Sequence, residues 1–395
     1  MSQPPSRLHR ALGVRGATVV GLSAMLGTGV FAVWTPAWGL VGGWLLAALL
    51  LAAGVAVLNA VSTARLAMVH PDSGGAYAYG RLRLNRTAGV VAGISFLVGK
   101  SASAAAAALT IGVYAWPGQE RLVAWAAIVV ALAIDLRGIV RSTRVNAMLV
   151  AIVVAVLVMV VVIGLTSVPT GTAPIAPAAT PVTVGAAAGL LFVAFAGYAR
   201  VTVLGEEVRD PARTIPRAMT LSFAVVLGLY AAVGLTVALL AGRGLVLGPA
   251  PLESVVALNG SSTADVIVRV GAVLGAGSVL ISLLAGMGRT LFAMADAGDA
   301  PRALAAVSSR SVPHRAASVV AVLAAVVVLA GQLSWALALS GFSILAYYSV
   351  AHLAAWTLAA GQRPPRLVPV LGLAGCVAVL GSLAVVALGG DLPVG

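Results

Sequence analysis

Charge is scarce in this chain. Only 9% of its 395 residues are Asp, Glu, Lys or Arg, against about a quarter in an ordinary soluble domain. With 61% hydrophobic residues and a mean hydropathy of +1.08, too little polar surface is left for a soluble enzyme or a disordered chain. Cysteine is almost missing as well. Cys376 alone excludes a disulfide framework and a cysteine metal cluster. The four histidines, His9, His70, His314 and His352, have no metal-ligand spacing. No convergent acids, histidines or nucleophile–base pair gather at membrane depth, as an embedded enzyme would require. The sequence therefore calls for no metal, no cofactor and no enzymatic activity. Lysine occurs once, as Lys100, among 24 basic residues. That arginine bias points to a GC-rich bacterial genome, and hence to a bacterial cytoplasmic membrane.

What is present is a succession of apolar runs. We read spans at about 17–40, 42–64, 87–113, 122–138, 145–166, 182–204, 219–241, 265–292, 316–332, 335–360 and 367–389, each near the roughly 20 residues that cross a bilayer. This predicts an all-α polytopic membrane protein with about 11 helices. The basic opening of the chain and the length of its first run do not fit a cleavable signal peptide. Arginines fall on alternate loops. Arg7, Arg10 and Arg15, then Arg65 to Arg86, Arg137 to Arg144, Arg209 to Arg217, Arg289 to Arg315, and Arg363 with Arg366 share one face, while Arg121, Arg243 and Arg269 face the other. Cytoplasmic loops retain arginine, so the N-terminus is expected in the cytoplasm. The net charge of +13 is explained by arginines beside anionic headgroups, and no nucleic-acid partner is needed.

Two spans carry interruptions. The first reads Gly27-Thr28-Gly29 in its middle, and the sixth reads Ala194-Phe195-Ala196-Gly197-Tyr198. A weakened helix at that depth is tolerated where it lines a cavity or is buried in protein. Close packing through small residues is the structural alternative. Breaks at matching places in two five-helix halves are the sequence pointer to an inverted-repeat transporter with a midplane site.

Four blocks then carry a resemblance. They are Leu26-Gly27-Thr28-Gly29-Val30-Phe31; Pro71-Asp72-Ser73-Gly74-Gly75-Ala76-Tyr77; Glu206 to Ala218, with Asp210-Pro211 and Ile215-Pro216-Arg217; and Arg289 to Ala295, followed by Gly298 and Pro301. In order, over residues 10 to about 370, they resemble the amino acid–polyamine–organocation (APC) superfamily, nearest its cationic amino acid transporter and methionine/branched-chain amino acid exporter branches. The resemblance implies a leucine-transporter-like five-plus-five inverted repeat with broken helices 1 and 6. Residues 1–15 would be a cytoplasmic tail, 16–166 the first repeat, 167–181 an outer linker, 182–360 the second repeat, and 361–395 an extra helix and tail. It further implies that backbone N–H groups around Gly27, Thr28 and Gly29 hold a substrate carboxylate. Carbonyls near Met25 and at Ala194, Phe195 and Gly197 would accept the α-ammonium, and Phe195 would close over the substrate as an aromatic gate. A short helix near Pro251–Leu258 would contribute to an outer lid.

The chain departs from the family pattern where an acid often follows the sixth-helix glycine; here Ala199 and Arg200 stand instead. A small, neutral and apolar amino acid is therefore the leading substrate, moved by alternating access with proton coupling or exchange. An acidic substrate drawn by Lys100 and Arg200, a cationic one, export, and a non-transporting sensor remain open. Lys100 in mid-span is a functional candidate because a charge at that depth is costly; it either exchanges a proton or snorkels into a polar pocket. Arg200 is expected to pair with Glu206 or Glu207, as an inward gate or as a structural contact. His352 reads as a hydrogen-bonded packing residue.

Overall fold

The computed structural model describes residues 12–70, 74–138, 143–167, 178–202, 208–308 and 312–393. Glu206 and Glu207, most of the N-terminal tail, most of the 167–181 linker and Pro71 to Ser73 lie outside the described residues. Helix is the regular structure among the described residues, apart from one parallel bridge between Leu12 and Val208.

In chain order the helices are α1 (Val14–Met25), α2 (Thr28–Ala32), α3 (Trp34–Val41), α4 (Leu45–Val69), α5 (Ala76–Arg83), α6 (Arg86–Ala115), α7 (Glu120–Leu136), α8 (Thr143–Thr166), α9 (Pro181–Phe195), α10 (Ala199–Thr202), α11 (Pro211–Ala241), α12 (Pro251–Val256), α13 (Ser262–Asp296), α14 (His314–Ala330), α15 (Leu333–Trp356) and α16 (Leu367–Leu388). Their ends follow local chemistry. The Asn85 side chain accepts from Ala88 N–H at 2.8 Å and starts α6. Thr180 and Thr183 form a reciprocal capping box before α9, with Pro181 at its first position, where the missing N–H costs nothing. Trp116-Pro117-Gly118 ends α6, and Pro364-Pro365 precedes α16.

Nine helical stretches among the described residues are long and apolar enough to cross a membrane. The two remaining expected spans, 122–138 and 316–332, are the 17-residue helices α7 and α14. At 1.5 Å per residue each is about 26 Å long, at the lower limit for a bilayer core of about 30 Å. Apolar side chains such as Val129, Val130, Leu165, Val322 and Val385 point outward and are exposed, as hydrocarbon solvent permits.

Packing sorts the long helices into two groups. Helices α6, α7, α13 and α14 pack on one another, while α1 packs on α11, α4 on α9, and α11 on α4. Between the groups, α8 touches α1, α11 and α13, and α15 touches α4, α6 and α9. The run Ala104 to Ala108 of α6 is fully buried, and small side chains of this kind let helix backbones approach closely in lipid.

Candidate functional site

The first span breaks after Met25. Leu26 leaves the helical region (ψ 76°), Gly27 is extended (φ −153°, ψ −128°), and helix resumes at Thr28. The sixth span is less disrupted than its sequence led us to expect. After Phe195 it tightens into a single 3₁₀ turn, Ala196–Tyr198, and resumes as α10. The two interruptions touch backbone to backbone. A Cβ on Gly29 would stand 2.3 Å from Ala194 Cα, and one on Gly197 would stand 2.1 Å from the Ala24 carbonyl oxygen. Only glycine fits either position, since rigid main chain cannot yield as a flexible side chain would.

Tyr230, from α11, fastens the pair. Its hydroxyl donates toward the Met25 carbonyl at 2.6 Å and the Ala194 carbonyl at 3.2 Å. The Met25 carbonyl also accepts from Gly27 N–H at 3.0 Å. Two of the carbonyls expected to receive a substrate ammonium thus already hold a donor of the chain.

A cavity of about 50 Å³ opens between the breaks. Of the residues singled out in the sequence, Met25, Thr28, Gly29, Lys100, Ala194 and Gly197 line it. Lys100, at the middle of α6, directs Nζ to the Ala196 carbonyl at 3.5 Å. Thr28 is buried, and its Oγ1 has no hydrogen-bond partner among the described residues. Ser103 completes the α6 wall, with its hydroxyl engaged by Ser340 at 2.6 Å and by the Gly99 carbonyl at 3.0 Å. Val279 and Leu283 of α13, with Val193, supply apolar surface.

Other expected residues lie elsewhere. Gly27 stands against α13, beside Val279 and the Gly275 carbonyl. Phe195 does not line the cavity. Its ring is fully buried, stacked on Phe223 at 6.2 Å and edge-on to Tyr230 at 5.2 Å. Arg200 is exposed on α10, away from the cavity wall, and its expected partners, Glu206 and Glu207, lie outside the described residues. His352 is buried and bonds Asn59 Oδ1 at 2.7 Å. Tyr230, Val279 and Leu283 were not found from the sequence. Tyr230 alone left a signal, a tyrosine whose buried hydroxyl needs a partner in an otherwise apolar span.

Toward the arginine-poor end, α2, α6 and α12 meet. Tyr114 packs edge-on to Phe31 at 5.9 Å and donates to its carbonyl at 2.9 Å. Leu252 N–H of α12 reaches the Tyr114 hydroxyl at 3.4 Å, and Glu253 pairs with Arg269 at 2.5 Å. At the arginine-rich end, Asp299 gathers Tyr77 Oη at 2.7 Å, Arg86 Nε at 2.8 Å and the Arg81 guanidinium. Burial works against the Asp299 carboxylate, but the hydrogen bonds from Tyr77 and Arg86 and the two arginine charges outweigh it and hold the carboxyl below its usual range.

An all-helical, multi-pass membrane protein whose interrupted helices enclose a small cavity with polar groups has the architecture of a solute transporter. The sequence comparisons specify which kind. The amino acid permease family model matches residues 12–390, and the chain belongs to that family, within the superfamily its four motifs resemble. It is 43% identical to an uncharacterized transporter of Mycobacterium tuberculosis, over 94% of this chain and 86% of the relative. It is also 27% identical to the branched-chain amino acid permease BcaP of Bacillus subtilis, and 27% identical to the methylthioribose transporter of the same organism. Each of these two alignments covers 76% of this chain and 70% of the relative. The family and these relatives are permeases and transporters, not enzymes.

Proposed function

We propose that this protein is a secondary transporter that carries a small amino acid across the bacterial cytoplasmic membrane by alternating access, with the cavity between the two breaks as its binding site. One observation carries the reading. Interruptions in the first and sixth spans, far apart in sequence, meet at one cavity lined by Thr28, Gly29, Ala194 and Gly197. Thr28 Oγ1 is buried there without a hydrogen-bond partner among the described residues, and a substrate carboxylate would supply one.

The packing supports a five-plus-five repeat. Helix α8 joins the first broken span to α13, and α15 joins the sixth to α6, which is the exchange of partners an inverted two-fold relation requires. On this reading residues 16–166 and 182–360 are the repeats, α7 and α14 are short spans that bring the count to 11, and α16 lies outside both. The arginine-rich face is cytoplasmic, and with it the N-terminus. Coupling is to protons or to exchange.

The test is flux. Purified protein in proteoliposomes, preloaded with unlabelled amino acids, should accumulate labelled substrate by counterflow, and Thr28→Val should reduce that uptake. Binding of an amino acid without counterflow would identify a sensor instead. Neither binding nor counterflow with any of the twenty would overturn the proposal.

A further inference from the structure

The cavity is not electrically or chemically symmetric. Lys100 is the charged residue on its wall. Among the described residues Lys100 makes no ion pair, and its one hydrogen bond is the long contact to Ala196. The described acids that form ion pairs do so elsewhere: Asp299 with Arg81 and Arg86, Asp210 with Arg213, and Glu253 with Arg269. An ammonium offers three donors, so Lys100 retains capacity toward the cavity. Thr28 Oγ1 adds a buried hydroxyl without a partner among the described residues. The acceptor side is the reverse. The Met25 and Ala194 carbonyls receive Tyr230, and the Ala196 carbonyl receives Lys100 itself.

A bound zwitterion would set its own ammonium against carbonyls that already have donors and would leave the Lys100 charge uncompensated at membrane depth. A net anion would neutralise that charge and use the open donors. Resting on the assignment of this cavity as the substrate site, we infer that it selects small solutes of net negative charge: carboxylates not balanced by an ammonium of their own, whether an acidic amino acid or a short amine-free carboxylate. Lys100 is the specificity-determining residue and supplies the positive charge that a substrate ammonium would otherwise bring to Ala196. Thr28 completes the anion's coordination. The small cavity, about 50 Å³, suits a short anion. Val193, Val279 and Leu283 would pack on its carbon chain.

The experiment is a binding and counterflow panel on the full-length protein at neutral pH. The probes are alanine and leucine as neutral zwitterions, aspartate and glutamate as acidic amino acids, and pyruvate and succinate as amine-free carboxylates. At least one anionic probe should bind roughly 10- to 100-fold more tightly than alanine, the range set by one charge-assisted hydrogen bond. That preference should disappear in Lys100→Met and persist in Lys100→Arg. The acidic and amine-free arms distinguish the two sources of the carboxylate. Alanine or leucine binding as tightly as every anion would overturn the inference while leaving the transport assignment intact; binding by none of the six probes would also overturn the inference, and the transport assignment falls only if the remaining amino acids of the twenty fail as well. If Lys100→Met does not fold, the wild-type panel still decides, and Thr28→Val provides the second variant, expected to weaken the anion more than alanine.

Discussion

Lys100 and Asp299 are opposite solutions to holding one charge inside a helical membrane protein. Asp299, at the arginine-rich end, has a fully buried side chain, and Tyr77, Arg81 and Arg86 converge on it. Lys100, in mid-span, has a cavity and, among the described residues, one long hydrogen bond. A compensated charge ties elements together; here it joins α5 and the start of α6 to the turn after α13. A charge left open at depth weakens the fold and is retained where it acts on something that comes and goes. The difference between architecture and function can therefore be read from how completely each charge is satisfied.

Four substitutions or conditions test that contrast. The largest effect on stability is expected from Asp299→Asn, which leaves two arginines and a tyrosine without their anion. The melting temperature of purified protein should fall by about 5 °C, while the order of preference among solutes stays as in the wild type. Lys100→Met should do the reverse. Its melting temperature should hold or rise by up to about 3 °C, because removing a charge that has no ion-pair partner among the described residues relieves a desolvation cost, and the larger thermal shift with anionic solutes than with alanine should vanish. A smaller change is expected for Tyr230→Phe. Loss of one hydroxyl shared between the Met25 and Ala194 carbonyls should weaken solute binding about fivefold, measured by titration calorimetry, with the cavity wall otherwise kept. The smallest appears only in acid. Because the Asp299 carboxyl is held below its usual value, its contribution is complete above pH about 4 and fades as pH falls below that. The wild-type and Asp299→Asn melting curves should then converge, and a constant gap across that window would refute the ion cluster's role.

Much of this arrangement was legible in the sequence because it is local. Gly27-Thr28-Gly29 and Ala196-Gly197 mark backbone that departs from α-helix, and period-free apolar runs between arginine-bearing loops mark spans. The four motif blocks pointed to the family that the comparison over residues 12–390 establishes. What was not legible depends on distance in the chain. Nothing near Tyr230 announces that its hydroxyl reaches carbonyls 205 and 36 residues away. The direction of the Phe195 ring is set by Phe223 and Tyr230 of a different helix. The close seat of Gly197 on the Ala24 carbonyl of α1 is likewise a contact between residues far apart in the chain. The absence of an acid after Gly197 was visible, whereas nothing in the sequence placed Lys100 on the same cavity wall as Gly197.

The absence of clearance between Gly197 and Ala24, and between Gly29 and Ala194, constrains how such a molecule can move. Surfaces in bare main-chain contact cannot slide past each other's corrugations without first separating, and Tyr230 pins them. The two broken spans would then travel as a single rocker, with the passage opening along their seam with α6 and α13, where the wall consists of side chains that can swing.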